Sequence, residues 1–115
     1  MIDLEKMAKE HEKLFPNATM ESQVWKLEEE IKEYKEAQGF DECLKEISDV
    51  LIVCCGLYRW CPCLAKTIYS VILNGCIYEW DDRLEAEVNR KWQINLKRKW
   101  AWNGKAYHHV GDDEC

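Results

Sequence analysis

The chain has 115 residues, which is enough for one domain with a single hydrophobic core and too few for two ordinary domains. Its net charge is −6 and is unevenly distributed. Residues 1–49 carry 14 Asp and Glu against 7 Lys and Arg, whereas residues 83–105 carry 7 Lys and Arg against 2 Glu. A nucleic-acid-binding protein needs one broad positive surface, so we expect no nucleic acid partner; an acidic half that faces a basic half suits a metal-bound anion better.

The cysteines and the apolar segments indicate in which cellular compartment the protein is expected. Seven cysteines occur at irregular spacings, and Cys61 and Cys63 are separated by one residue where zinc ligands usually need two to four. Charged sequence directly after Met1 does not fit a secretory signal, so we expect reduced, mostly buried thiols in a cytoplasmic protein. The longest apolar region, residues 50–78, is interrupted by charged residues and a proline, and no membrane span fits it.

Apolar periodicity predicts an all-α fold, an antiparallel bundle of four to five helices. Six tryptophans and the long apolar middle exceed what one small helical layer needs to bury, so we expect the bundle to be oligomeric. The expected helices cover residues 3–15, 19–38, 41–60, 62–75 and about 81–100. Gly39 makes the connection between the second and third helices short, so these two helices should be antiparallel neighbours. On the second helix the expected apolar stripe consists of Met20, Val24, Leu27, Ile31 and Tyr34. We predict one domain over residues 1–115, with no strand and with a poorly ordered or loop-like tail at 103–115.

Two carboxylate pairs of equal spacing lie on the second and third predicted helices. Residues three apart share a helix face, so antiparallel packing can bring Glu30 and Glu33 together with Glu46 and Asp49. The second pair lies beside an apolar face, where unpaired carboxylates would be costly to desolvate. Carboxylate oxygens are the hard ligands that Mg²⁺ or Mn²⁺ requires. A di-iron bundle would need a Glu-x-x-His motif, and the sequence has none.

Cations and amides provide candidates for anion binding. Lys91, Asn95 and Arg98 lie on one strip of the last predicted helix with Leu84, Val88 and Trp102, and two cations with an amide suit a phosphate chain. The alternative is that this basic helix end pairs with the acidic helices of its own fold. Gln23 and Lys26 line the same edge of the second helix as Glu30 and Glu33, which makes them further candidates for substrate binding.

The order of these motifs carries a family resemblance. Glu-x-x-Glu, twelve residues between Glu33 and Glu46, Glu-x-x-Asp and then Lys-x3-Asn-x2-Arg together resemble the MazG-like members of the all-alpha nucleoside triphosphate pyrophosphatase superfamily. The matching stretches are residues 23–53 and 90–100. Three short motifs in the right order are more specific than any one of them.

The resemblance implies hydrolysis of a deoxynucleoside or nucleoside triphosphate, or of a non-standard one, to monophosphate and pyrophosphate. It implies that Glu30, Glu33, Glu46 and Asp49 are the catalytic residues that bind Mg²⁺, with Mn²⁺ possible, and that Lys91, Asn95 and Arg98 hold the phosphates. It also implies a homodimer or a dimer of dimers. Two alternatives stay open: an enzyme like phosphoribosyl-ATP pyrophosphatase, and a non-catalytic helical oligomerisation or regulatory module.

The family pattern is interrupted between Trp60 and Arg83, where the chain carries an extra apolar segment. The residues that contact the base in the family have no clear counterpart there. Trp25, His108 and His109 are candidates for base contact, although aromatic side chains more often belong to a core or an interface. His11, a lone histidine on the face of the first helix, is expected to be packed or half exposed.

Overall fold

The computed structural model describes residues 2–75 and 81–110. The helices are α1 (Leu4–Leu14), α2 (Met20–Glu36), α3 (Phe40–Leu57), α4 (Pro62–Gly75) and α5 (Asp81–Lys97), and the strands are β1 (Lys99–Trp102) and β2 (Tyr107–Val110). The chain is therefore mainly helical, as the sequence predicts, with a small two-stranded sheet that the sequence analysis did not predict. None of the helices in these ranges has the length and the apolar character needed to cross a bilayer.

Helix α3 is the central element of the fold, because it packs against each of the other four helices. Its buried residues include Leu51 and Leu57, and they meet Leu84 and Val88 of α5 in one core cluster. Burying a leucine side chain contributes about 1.5–3 kcal/mol. The predicted apolar face of α3 thus fixes the position of the carboxylates that the same helix carries.

Helices α2 and α3 are antiparallel neighbours, as predicted. Gln23, near the start of α2, donates a hydrogen bond to the backbone oxygen of Val53 near the end of α3, while the Cys43 thiol at the start of α3 reaches the Ala37 oxygen. Gly39 makes this connection possible, since its φ of 84° lies in the left-handed region that favours glycine.

The buried face of α2 differs from the predicted stripe. Leu27 is buried, but Met20 and Ile31 are exposed, and the polar residues Ser22 and Gln23 are buried instead. Ser22 is buried because it completes a capping box with Thr19 at the start of the helix. The helix is therefore rotated relative to the predicted stripe, and the edge that carries Gln23 faces the interior.

The end of the chain forms a β-hairpin where a helix and then a loop-like tail were predicted. Helix α5 ends at Lys97, so Trp102 lies in β1 and does not continue the strip of Lys91. The two strands pair antiparallel, with Trp100 opposite His109 and Trp102 opposite Tyr107. The predicted tail is thus a strand at Tyr107–Val110, and residues 111–115 lie outside the described part of the chain.

The described cysteines are free thiols, and two of the five are buried, whereas mostly buried thiols were expected. Cys54 and Cys55 are buried on α3, whereas Cys61 is partly exposed and Cys63 is exposed. Burial raises the pKa of the Cys54 thiol to about 11, so this side chain behaves as a small apolar residue.

Candidate metal and anion site

Three carboxylates converge between α2 and α3. One oxygen each of Glu30, Glu33 and Glu46 lies within 4.8 Å of the others. Glu30 and Glu33 are separated by one helical turn on α2, and the antiparallel packing of α3 brings Glu46 opposite them. The structure therefore brings together three of the four residues predicted as metal ligands.

The environments of Glu30 and Glu46 disfavour the ionised forms of these two carboxylates. Burial raises the pKa of Glu30 to about 7, and the negative charges of Asp49 and Glu33 add to this effect while Lys26 opposes it. Burial also raises the pKa of Glu46, followed by the charges of Asp49 and Glu33. A carboxylate that is both desolvated and crowded by like charges is stabilised by an added cation.

Asp49, the fourth predicted ligand, lies beside this cluster but is paired with α5. Its Oδ2 accepts a hydrogen bond of 2.9 Å from Lys91 Nζ, and both side chains are partly buried. The contact joins the second carboxylate motif to the predicted anion-binding helix. The acidic helices and the basic helix therefore face each other, as the charge distribution predicts.

Four of the remaining predicted residues line a cavity of about 370 Å³ next to the cluster, namely Gln23, Lys26, Asn95 and Arg98, whereas Lys91 is not part of its lining. Glu30 and Asp49 form its acidic side, and Lys26, Asn95 and Arg98 add polar and cationic groups to its wall. Lys26 also forms an ion pair with Glu29 at 3.5 Å. A pocket of this size that combines apolar walls with a few convergent polar groups is typical of a small-molecule site.

Gln23 lines the same cavity as part of a chain of buried hydrogen bonds. Arg59 Nη1 lies 3.2 Å from His11 Nδ1, and because arginine has no acceptor, His11 Nδ1 accepts and its proton resides on Nε2. His11 Nε2 and the Gln23 side chain approach the same point beside Gly56, and Gln23 Nε2 donates to Val53 O at 2.8 Å. Burial, and then the charge of Arg59, lowers the pKa of His11 to about 3, so its ring is neutral at physiological pH.

Gly56 of α3 allows this chain of hydrogen bonds to approach the helix backbone. A Cβ atom at position 56 would lie 2.5 Å from Gln23 Nε2 and 2.5 Å from His11 Nε2. Such a separation is shorter than any van der Waals contact, so only glycine leaves room for both side chains. Gln23 and His11 are therefore held in one arrangement by α1, α2 and α3 together.

An aromatic wall, which we define as Phe15, Trp100, Tyr107 and His109, lines the cavity on the side of His11, whose ring centroid lies 4.8 Å from that of Phe15. The ring centroids of Phe15 lie 5.0 Å from Trp100 and 4.9 Å from Tyr107, and Trp100 lies 5.9 Å from His109. The Tyr107 hydroxyl accepts a hydrogen bond from the Asn17 backbone N–H, which attaches the hairpin to the turn after α1.

The sequence analysis missed most of this wall together with Arg59, and it assigned His11 only a packing role. A signal for the hairpin is nevertheless present. Asn103 and Gly104 stand between two short segments rich in aromatic residues, and an Asn-Gly pair in that setting is a strong indication of a hairpin. Of the three predicted base-contact candidates, His108 and His109 line the cavity, whereas Trp25 does not and lies under Lys105.

The carboxylate cluster meets a structural requirement of a divalent-cation site. Glu30 Oε1 and Glu46 Oε1 are buried, and neither has a hydrogen-bond partner among the described residues. Buried polar atoms are nearly always paired, so two unpaired carboxylate oxygens at one point fit a cation as their missing partner. The oxygens are hard donors of the kind that Mg²⁺ and Mn²⁺ bind.

The chain matches no family model, and neither a curated protein nor a solved structure is significantly similar to it.

Proposed function

We propose that the protein hydrolyses a nucleoside triphosphate to the monophosphate and pyrophosphate in the presence of Mg²⁺ or Mn²⁺. The observation that carries the proposal is the convergence of Glu30, Glu33 and Glu46 with two buried, unpartnered oxygens beside a cavity that also contains cations. The sequence resemblance supports the same activity. A non-standard deoxynucleotide or nucleotide is an equally suitable substrate for this site.

In this proposal Glu30, Glu33 and Glu46 hold the metal, and Asp49 completes the acidic side. When bound, Mg²⁺ neutralises charge on the triphosphate and lowers the pKa of a water that can attack phosphorus. Lys91 and Arg98 bind phosphate oxygens, Lys91 as a point charge and Arg98 as a fork of donors.

The remaining cavity residues orient the substrate and surround it. Asn95 supplies an amide to the same anion, while Lys26 and Gln23 extend the site along α2 away from the carboxylates. Holding the reacting groups in a cavity makes their encounter effectively unimolecular, which is a large part of what catalysis of phosphoryl transfer requires.

The direct test is a panel of deoxynucleoside and ribonucleoside triphosphates, with phosphoribosyl-ATP included, incubated with Mg²⁺ and analysed for monophosphate and pyrophosphate. We expect turnover of at least one substrate, and we expect Glu46→Gln to reduce it by at least about a hundredfold, as loss of a group that stabilises transition-state charge commonly does. Glu28→Gln is the matched control, because Glu28 is exposed on the same helix pair.

The outcome that contradicts the proposal is a folded protein that turns over no member of the panel. Turnover of phosphoribosyl-ATP alone would instead assign the protein to that closer alternative. Helical circular dichroism of the Glu46→Gln protein separates a loss of chemistry from a loss of fold.

A non-catalytic helical module is the second candidate, and the Asp49–Lys91 pair at 2.9 Å favours it. Under this alternative the carboxylates serve only as partners of the basic helix. Added Mg²⁺ would then leave the melting temperature unchanged. A Mg²⁺-dependent rise in the parent that disappears in Glu46→Gln excludes this candidate, since a ligand stabilises only a fold that binds it.

We also propose that the chain assembles as a homodimer or a dimer of dimers. Large apolar side chains on α2 and α4 are exposed, among them Trp25, Leu64 and Val71. Exposed apolar surface of this kind is typical of association sites. Sedimentation equilibrium gives the mass directly, and a monomer at micromolar concentration would contradict the proposal.

A further inference from the structure

We infer that the aromatic end of the cavity binds the nucleobase, and that the Gln23 side-chain amide reads the hydrogen-bonding edge of that base, with His11 and Arg59 as positioning residues. The inference rests on the proposed function for the phosphate end, but its own evidence lies in a different part of the cavity. Three features support it: the unused hydrogen-bonding capacity of Gln23, the distance between Gln23 and the carboxylates, and the chemistry of the aromatic wall.

Gln23 has hydrogen-bonding capacity left for a ligand. Its Nε2 carries two N–H groups, and one of them donates to Val53 O. Its oxygen has two lone pairs, and the neutral His11 ring beside it has a single N–H to offer. One donor and one acceptor therefore remain on a side chain that is only 6% exposed and that lines the cavity.

The orientation of the Gln23 amide is fixed by its neighbours. Val53 O can only accept, so the Gln23 nitrogen must point towards it. Arg59 can only donate, so the His11 proton must face Gln23. A glutamine held in this way presents its donor and its acceptor in a defined order, which a freely rotating amide does not.

The distance along α2 matches a nucleotide. Gln23 and Glu30 both line the cavity, and they are seven residues apart on one helix, which corresponds to about 10 Å. A ribose and the α-phosphate separate a base from the metal-binding end of a triphosphate chain. A nucleotide with its phosphates at Glu30 therefore brings its base to Gln23.

The wall has the chemistry that a base requires. Phe15, Trp100 and His109 offer ring faces and edges, and stacking of a base on an aromatic side chain contributes about 1–3 kcal/mol. A glutamine amide pairs with a base that presents an acceptor beside a donor, as adenine does with its N7 and N6 atoms. The order of donor and acceptor on Gln23 therefore determines which edge of a base it can pair with, and in which orientation.

The inference is tested by changing the hydrogen-bonding groups at position 23. In Gln23→Glu the side chain has two acceptors, so it disfavours adenine and favours guanine, whose N1–H and N2–H groups are adjacent donors. We expect the ratio of dissociation constants for the adenine and guanine deoxynucleoside monophosphates to shift towards guanine by roughly tenfold, the discrimination of one bidentate contact. Isothermal titration calorimetry without metal measures this ratio, and monophosphates avoid turnover.

Three further variants keep the test independent of folding. Gln23→Met removes both contacts at similar size and is expected to flatten the preference among the four bases. Gln93→Glu is the matched control, because Gln93 is exposed on α5 and does not line the cavity. Gly56→Ala tests the positioning residues: its Cβ must displace Gln23 and His11, and it is expected to reduce base discrimination.

Binding of inorganic tripolyphosphate with Mg²⁺ distinguishes an effect on the phosphate end of the site from an effect on the base end. We expect it to be unchanged in the Gln23 and Gly56 variants. An unaltered base ratio in both folded Gln23 variants overturns the inference, as does a parent protein that binds none of the monophosphates. If the monophosphates bind with the expected ratios but no triphosphate is hydrolysed, the proposed function fails and the base site stands.

Discussion

Two groups of buried polar atoms face the same cavity, and they differ in how fully their hydrogen-bonding capacity is used. In the carboxylate cluster, Glu30 Oε1 and Glu46 Oε1 have no hydrogen-bond partner in the described part of the chain. In the other group, which comprises His11, Arg59 and Gln23, Arg59 Nη1 donates to His11 Nδ1 and Gln23 Nε2 donates to Val53 O. A buried polar atom that has its partner within the fold stabilises the fold directly, whereas an unpaired one needs a ligand.

Substitutions in the carboxylate cluster and in the His11 group should therefore change the stability of the metal-free protein in opposite directions. Removing a charge from the carboxylate cluster should relieve an unfavourable arrangement in the metal-free protein. Removing a member of the His11 group should leave its former partners without hydrogen bonds. The following predictions test this difference.

The largest effect is expected for Glu30→Gln. The folded pKa of about 7 lies above the ordinary value of 4.5, so the folded state binds the proton more tightly and loses stability as pH rises through this window. At pH 8 in chelator the variant should therefore be more stable than the parent, by about 2–3 kcal/mol once the full effect of the shift is reduced for the solvent screening of this partly exposed group. Urea unfolding measures this gain, which should vanish below pH 4.5.

The same variant should lose stabilisation by metal. A Mg²⁺ concentration one hundred times the dissociation constant should add about 2.7 kcal/mol to the parent, and little to Glu30→Gln. Glu28→Gln, an exposed neighbour on α2, is the control and should change neither quantity by more than about 0.5 kcal/mol. If Mg²⁺ stabilises Glu30→Gln and the parent equally, Glu30 is not a metal ligand.

Arg59→Met should have the opposite sign. Arg59 Nη1 donates to His11 Nδ1 and, at 3.0 Å, to the backbone oxygen of Phe15. The variant leaves both acceptors without this donor, and we expect a loss of about 1–3 kcal/mol in the free energy of unfolding. Arg90→Met is the matched control, because Arg90 is exposed and its pair with Glu87 should contribute less than about 1 kcal/mol. Similar losses in both variants would argue against a special role of the His11 group.

The pH dependence of His11 gives a smaller effect. Its folded pKa of about 3 lies below the ordinary 6.5, so its contribution to stability is fully present above pH 6.5 and is lost as pH falls towards 3. Between pH 6.5 and 5.5 we expect a loss of about 1 kcal/mol. Because Glu30 contributes the opposite slope in this range, the measured quantity is the difference between the parent and His11→Gln in urea unfolding. Parallel curves would mean that His11 titrates equally in both states.

Much of the fold follows from local patterns. The starts of α1, α2 and α4 are marked by Asp3, Thr19 and Pro62, and the apolar face of α3 fixes its central position. The pairing of Glu30 and Glu33 with Glu46 also follows, because helical spacing and a short connection leave few other arrangements.

The rest depends on contacts between residues far apart in the chain. The buried position of Gln23 requires His11 and Gly56, and neither of these is marked by a local pattern. Tertiary packing thus overrides the apolar stripe expected on α2. Asp49 shared its motif with Glu46, yet its ion pair with Lys91 could be predicted only as a general attraction between the two halves, since the residue that pairs is decided by the packing of α5 on α3.

The Asp49–Lys91 pair joins α3, which carries part of the carboxylate cluster, to α5. The variant Lys91→Met tests whether Lys91 only pairs with Asp49 or also binds phosphate. The pair is partly exposed, so its loss should lower the free energy of unfolding by only about 0.5–1 kcal/mol. If Lys91 also binds phosphate, tripolyphosphate in the presence of Mg²⁺ should bind roughly tenfold more weakly, as expected for one charged hydrogen bond. Lys97→Met, exposed on the same helix, should alter neither value. Weakened stability with unchanged tripolyphosphate binding would make Lys91 a structural partner of Asp49 alone, because a residue that contacts the ligand cannot be removed without a change in ligand affinity.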